Sequence, residues 1–131
     1  MTISIDFYEG AYGATLRIKL HEVRDLETVV EMFSALAAGR KLTIDLLEDC
    51  SAQVTGISNF TLLRVRKPLE KRLRVEGSLD QEAEVVWEAT SEEWENCLGL
   101  TNAFKIERSG HQYLTAEGVD DALVVLSFRE G

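Results

Sequence analysis

Proline occurs once in 131 residues and cysteine and histidine twice each. With a single proline and 45% apolar residues, the chain has no proline-rich disordered tract and enough apolar material for one core. Its length fits a single domain over 1–131. Cys50 and Cys97 stand alone, with no CxxC pair and no dense framework of the small-secreted-domain kind. Two free thiols in a reducing cytoplasm are therefore expected, and on that reading the sequon Asn59-Phe60-Thr61 is silent. The start, Met1-Thr2-Ile3-Ser4-Ile5-Asp6, lacks the basic residues and apolar run of a signal peptide. The apolar run Ala122-Leu123-Val124-Val125-Leu126 is far too short to span a bilayer, so no membrane partner is expected.

Recognisable chemistry is scarce as well. His21 and His111 lie 90 positions apart, and no HxxxH, HxH or His-plus-Cys spacing marks a metal site. A site built from His21, His111, Cys50 and Cys97 would have to be assembled entirely by folding. No GxSxG elbow, GxGxxG loop or P-loop is present, and neither cysteine sits in a reactive signature. Cys97 shares an apolar helical face with Trp94, where burial would leave its thiol inert. The adjacent acids Glu48-Asp49 and Asp120-Asp121 are expected in so acidic a chain. The expectation is a protein with no cofactor and no metal, and not an enzyme.

Charge is unevenly spread. The net charge is −9, yet residues 1–75 carry 11 Lys/Arg against 10 Asp/Glu. Residues 76–131 carry 3 against 13, a net of −10. A field of that sign repels phosphates and anionic membranes and attracts cations. The stretch from Arg64 to Arg74 holds six of the 14 cations, but its arginine face offers no aromatic for a base to stack on. Nucleic acid is therefore not an expected partner. Arg64, Arg66, Arg72 and Arg74 share even parity with Glu82, Glu84 and Glu88. Arginine strands lying beside a glutamate strand would then pair Glu82 and Glu84 with Arg72 and Arg74.

Periodicity switches between two and 3.6, the signature of an α+β domain. Residues 2–8 and 14–20 alternate as a hairpin around Glu9-Gly10-Ala11. Leu26, Val29, Val30, Phe33, Leu36 and Ala37 form a helical stripe, with Asp25 as N-cap and Gly39 as the left-handed end. Leu42, Ile44 and Leu46 mark a third strand, and residues 52–57 a short fourth. Residues 63–66, 73–75 and 82–88 read as a three-strand meander. Thr90-Ser91-Glu92-Glu93 is a capping box opening a short helix that Gly99 can end. A strand pair follows around Phe104–Ile106 and Gln112–Thr115. Ala122–Phe128, apolar on both faces, reads as a central strand. The expected fold is α+β, a largely antiparallel sheet of six to eight strands with one long and one short helix.

Acidic residues open the second helix (Glu92, Glu93 and Glu95) and precede the last strand (Glu117, Asp120 and Asp121). With Tyr113 as an aromatic anchor, they form the candidate binding set. The segments Trp94-Glu95-Asn96-Cys97-Leu98-Gly99, Gly110-His111-Gln112-Tyr113-Leu114-Thr115 and Asp120-Asp121-Ala122-Leu123, ending in Ser127-Phe128-Arg129-Glu130, resemble the tail of small bacterial immunity-type proteins. That resemblance covers about a third of the chain. It implies a cytoplasmic α+β domain that neutralises a partner by covering its active site, and it transfers no functional residue. The leading expectation is an acidic module that binds a basic protein. The alternatives are a small-ligand-binding domain or enzyme, for which a homo-oligomer is an option, and a secretion chaperone.

Overall fold

Why the first strands pair as they do follows from their alternation. The computed structural model describes residues 3–11, 13–77, 82–115 and 119–129. Strand β1 (Ser4–Gly10) buries Ile5 and Phe7, and β2 (Gly13–Leu20) buries Leu16, Ile18 and Leu20. The two pair antiparallel from Ser4↔Lys19 to Gly10↔Gly13, so one face of the hairpin enters the core and the other stays polar.

Helix α1 (Val23–Ala38) begins differently from expectation. Glu22 is the N-cap and Asp25 the N3 residue of a capping box. The Asp25 carboxylate accepts from the backbone N–H groups of His21 and Glu22, each at 3.0 Å. The helix ends as expected at Gly39, whose φ of 79° is left-handed. A methyl group there would collide with the guanidinium of Arg64. Strand β3 (Thr43–Asp45) is followed at once by a single helical turn, α2 (Leu46–Asp49), because the Asp45 side chain caps the Glu48 N–H. β4 (Gln53–Thr55) passes directly into β5 (Ile57–Val65) through Gly56 at φ 86°, and this corner carries the chain from one sheet to the other.

The middle of the chain departs from a meander. β5, β6 (Leu73–Glu76) and β7 (Ala83–Thr90) are consecutive, but the sheet order is β3-β5-β7-β6, with β7 between the other two and parallel to β5. Burial accounts for this order. Ala83, Val85, Trp87 and Ala89 of β7 are all buried, so β7 takes an interior position, whereas β6 fully buries only Leu73 and takes the edge. Helix α3 (Ser91–Asn102) starts at the anticipated Thr90 capping box but runs through Gly99. Residues 104–107, expected as strand, form the short helix α4 (Phe104–Glu107).

β8 (Gly110–Tyr113) and β9 (Leu123–Phe128) complete a five-stranded sheet in the order β4-β1-β2-β9-β8. All six residues of β9 are buried, as anticipated for a central strand. The fold is α+β. Its strands form two mixed sheets, because β1–β4, β2–β9 and β5–β7 are parallel ladders beside four antiparallel ones.

One hydrophobic cluster joins both sheets to α1 and α3. At its centre Phe33 stacks on Trp94 with centroids 5.8 Å apart, and Trp87 lies 4.8 Å from Trp94. Trp94 Nε1 donates to the Leu63 carbonyl at 3.2 Å. Both tryptophans are core residues, fully buried. Cys97 packs in the same cluster, and burial pushes its thiol up to about 12, with Arg72 opposing and Glu93 reinforcing the shift. Burial, aided by Asp49 and Asp25, likewise raises Cys50 to about 12. At pH 8 each folded thiol should hold roughly a thousandfold less thiolate than an ordinary cysteine. Iodoacetamide should therefore label neither cysteine in the native protein and both in urea. Because the unfolded thiols ionise first, stability should fall as pH rises above 9.0, the ordinary thiol value.

Candidate functional site

The N-terminus of α3 and the turn before β9 meet at the start of β6. The Thr90 hydroxyl accepts from Glu93 N–H, and Glu93 Oε1 accepts from Thr90 N–H at 2.9 Å. Glu93 Oε2 faces Arg72 Nη1 at 3.3 Å, and Arg72 Nη2 lies 3.9 Å from Asp120 Oδ2. Asp120 Oδ1 accepts from the backbone N–H groups of Arg72, at 2.7 Å, and Leu73, at 3.0 Å. Asp121 Oδ2 accepts from Val75 N–H at 2.9 Å, its Oδ1 pairs with Lys71 Nζ at 2.7 Å, and its own N–H donates to the Leu73 carbonyl. β6 is an edge strand, and these two carboxylates supply acceptors that a further strand would supply. The hydrogen bond from Lys71, then that from Val75 N–H, holds the Asp121 carboxyl below its ordinary 3.8.

The sequence-derived binding set therefore divides. Glu93, Asp120 and Asp121 are engaged inside the fold. Glu92 and Glu95 are exposed on α3 and form no ion pair among the described residues. Tyr113 lies on the five-stranded sheet, 48% exposed, with its ring 5.4 Å from His111. No hydrogen bond or ion pair joins it to any of the acids among the described residues. Glu117 lies outside the described residues.

The expected charge pairing is also redrawn. Arg74 Nη2 binds Glu88 Oε1 at 2.6 Å and Arg72 binds Glu93, in place of Glu82 and Glu84. Nor do all the arginines share a face. A register shift between Ile57 and Asn59 puts odd residues of β5 beside even residues of β7. Arg64 thus falls on the core side, opposite Ala89, while Arg74 lies opposite Val86 on the outer side. The Arg64 guanidinium sits against Gly39 at the end of α1, whose last turn contains no basic residue of its own.

These displacements reveal a surface that strand parity alone did not locate. The outer side of the four-stranded sheet carries Thr61, Leu63 and Val65 from β5 and Val86 from β7, all only partly buried. Around them stand Glu84, Glu76 and the Arg74–Glu88 pair. Glu76 and Glu84 are direct cross-strand partners, and both are exposed. Like charges placed opposite each other in a ladder repel. Asn59 Nδ2 donates to Glu84 Oε1 at 3.3 Å, and among the described residues no cation pairs with either glutamate.

Two open grooves lie elsewhere. One, of about 530 Å³, runs along α1 over Met32, Ala35 and Ile44. The other, of about 600 Å³, lies between Leu42, Arg66, Pro68 and the first turn of α3. Among the described residues, no three His, Cys, Asp or Glu side chains are placed to hold a metal ion. Among the same residues, no helix is long and apolar enough to cross a membrane. Compared with protein-family models, curated proteins and solved structures, the chain matches none.

Replacing Asp120 with alanine should lower unfolding stability by about 1–3 kcal/mol in urea titration, because two strand N–H groups lose their acceptor and the Arg72 guanidinium loses an ion-pair partner. Asp121 titrates lower in the fold than when unfolded, so its contribution is present above pH 3.8 and disappears as pH falls through its depressed value. An Asp121→Asn variant should accordingly lose less stability between pH 5 and pH 3 than the parent.

Proposed function

We propose that this chain is a small, non-enzymatic protein-binding module of immunity or antitoxin type. It acts in the cytoplasm and neutralises a basic partner by covering it with the outer face of the four-stranded sheet. The observation that carries the reading is Glu76 opposite Glu84 at the rim of an uncovered aliphatic strip. That pairing costs the free protein stability, and a cation supplied by a partner would relieve it. Leu63, Val65 and Val86 provide apolar contact, while the acids around them set orientation and speed encounter. Exposed Glu92 and Glu95 add to the same attractive field.

A secretion chaperone is a weaker reading. Such a protein extends a client's strand along a free sheet edge. At β6 the acceptors offered to that edge come from Asp120 and Asp121 already.

The partner-free expectation is that Glu84→Gln, which keeps an acceptor for Asn59, raises stability by about 0.2–1 kcal/mol at low salt. The gain should shrink as salt increases. For the partner, wild-type protein and a Glu76→Lys/Glu84→Lys/Leu63→Ser variant would be immobilised and exposed to native lysate. A basic protein retained by the wild type, released by salt and lost on the variant supports the proposal, provided Glu95→Lys retains most of it. Equal retention by wild type and triple variant would overturn the assignment of the face.

A further inference from the structure

The acidic C-terminal part, residues 76–131, contains only three cations, Lys105, Arg108 and Arg129. All three line one pocket of about 290 Å³. Its lining is otherwise apolar: Leu26, Phe104 and Phe128 lie buried at its base, and Val23 stands half-exposed at its lip. Among the described residues none of the three forms an ion pair.

The backbone points the same way by an independent route. Among the described residues three non-glycine positions have left-handed φ, and two of them are Arg108, at 65°, and Arg129, at 52°. Arg108 is the C-cap of α4, its N–H bonded to the Phe104 carbonyl at 2.8 Å. Glycine is the residue that fills such a cap without steric cost. Arg129 N–H donates to the Leu20 carbonyl at 3.0 Å, which fixes that residue as β9 ends. Both arginines thus occupy left-handed positions that glycine would fill without steric cost. Strain of this kind gathers where a side chain is needed for binding. The Arg129 guanidinium lies 5.0 Å from the Phe128 ring centroid, with Nε donating to the His21 carbonyl at 3.3 Å. Its direction is therefore set before any ligand arrives.

We infer that this pocket binds a small organic carboxylate, with the charged head among Lys105, Arg108 and Arg129 and an aliphatic body against Val23 and the rest of the apolar lining. A bare inorganic anion would leave the apolar floor unused, and a neutral apolar molecule would leave three cations unmatched. The site shares no residue with the outer face of the four-stranded sheet, so the inference stands independently of the proposed partner.

The test is titration of the full chain with octanoate, octanol and inorganic phosphate at matched ionic strength, followed by calorimetry and thermal melting. Octanoate should bind saturably and raise the melting temperature, with octanol and phosphate much weaker. Arg108→Gln/Arg129→Gln should weaken octanoate at least about tenfold, the scale of losing charge-assisted hydrogen bonds. Arg108→Gly should abolish most binding while leaving the unliganded melting temperature unchanged or higher, since glycine relieves the left-handed strain. Octanoate binding no better than phosphate, or equal binding by the double glutamine variant, would overturn the assignment. A steep loss of unliganded stability in Arg108→Gly would do so too, by giving the arginine a purely structural reason.

Discussion

A sheet edge must have its N–H groups satisfied or remain open to pairing with other chains, and here Asp120 and Asp121 occupy β6. Their carboxylates accept from Arg72, Leu73 and Val75, and the Asp121 N–H returns a bond to Leu73. The turn preceding β9 belongs to the five-stranded sheet, so these bonds also fasten one sheet to the other. With β6 fixed, Arg72 is held between Asp120 and Glu93, which ties the start of α3 to the same point. α3 in turn carries Trp94 into the stack with Phe33 and Trp87. The aromatic core and the sheet-to-sheet joint are thus consecutive steps of one arrangement.

The joint changes the meaning of the net charge. An excess of carboxylates in residues 76–131 invites a purely external reading, as attraction for a cationic partner. Much of that charge has internal work: Asp120 and Asp121 on β6, Glu93 in the capping box, and Glu88 on Arg74. What is left over is more local and more informative. Among the described residues it includes the opposed Glu76 and Glu84, beside an aliphatic strip, the two α3 glutamates that point to solvent, and exposed Glu82 and Glu107. A charge with no partner in the fold says more about an external partner than a total does.

Local patterns were legible where one physical signal dominated. The alternation in β1, β2 and β7, the stripe of α1, the Thr90 capping box and the doubly apolar β9 all follow from burial and capping within a few residues. The α3 stop at Gly99 failed because a glycine inside a helix costs only about 1 kcal/mol relative to alanine, less than the packing around it supplies. The meander failed because strand order depends on which strand is most apolar over its whole length, and β7 won that competition against β6. The charge pairing failed on register, which sets Glu84 opposite Glu76 and Val86 opposite Arg74. The shared arginine face failed for a subtler reason. One irregularity between Ile57 and Asn59 reverses the parity of β5 relative to β7, and no composition or spacing announces it. Of the candidate binding residues, the sequence could show that Asp120 and Asp121 were adjacent acids, but their acceptor role depends on β6, some 47 positions earlier. The three cations of the C-terminal part were visible as a count, and their convergence required the fold.

β9 connects the two surfaces to which function has been attached. It begins beside the Asp120–Asp121 joint and ends at Phe128, in the floor of the carboxylate pocket. All six of its residues are buried and it is paired on both sides, so it offers no second arrangement for a ligand to favour. A ligand shifts a distant site only through an element that has two states of different affinity. On these grounds pocket occupancy should stabilise the chain without tuning the sheet face. Coupling between the two would require a movable part, and the joint at β6 is where such movement would have to break the most bonds. The organisation is that of a rigid platform carrying two separate surfaces of opposite charge.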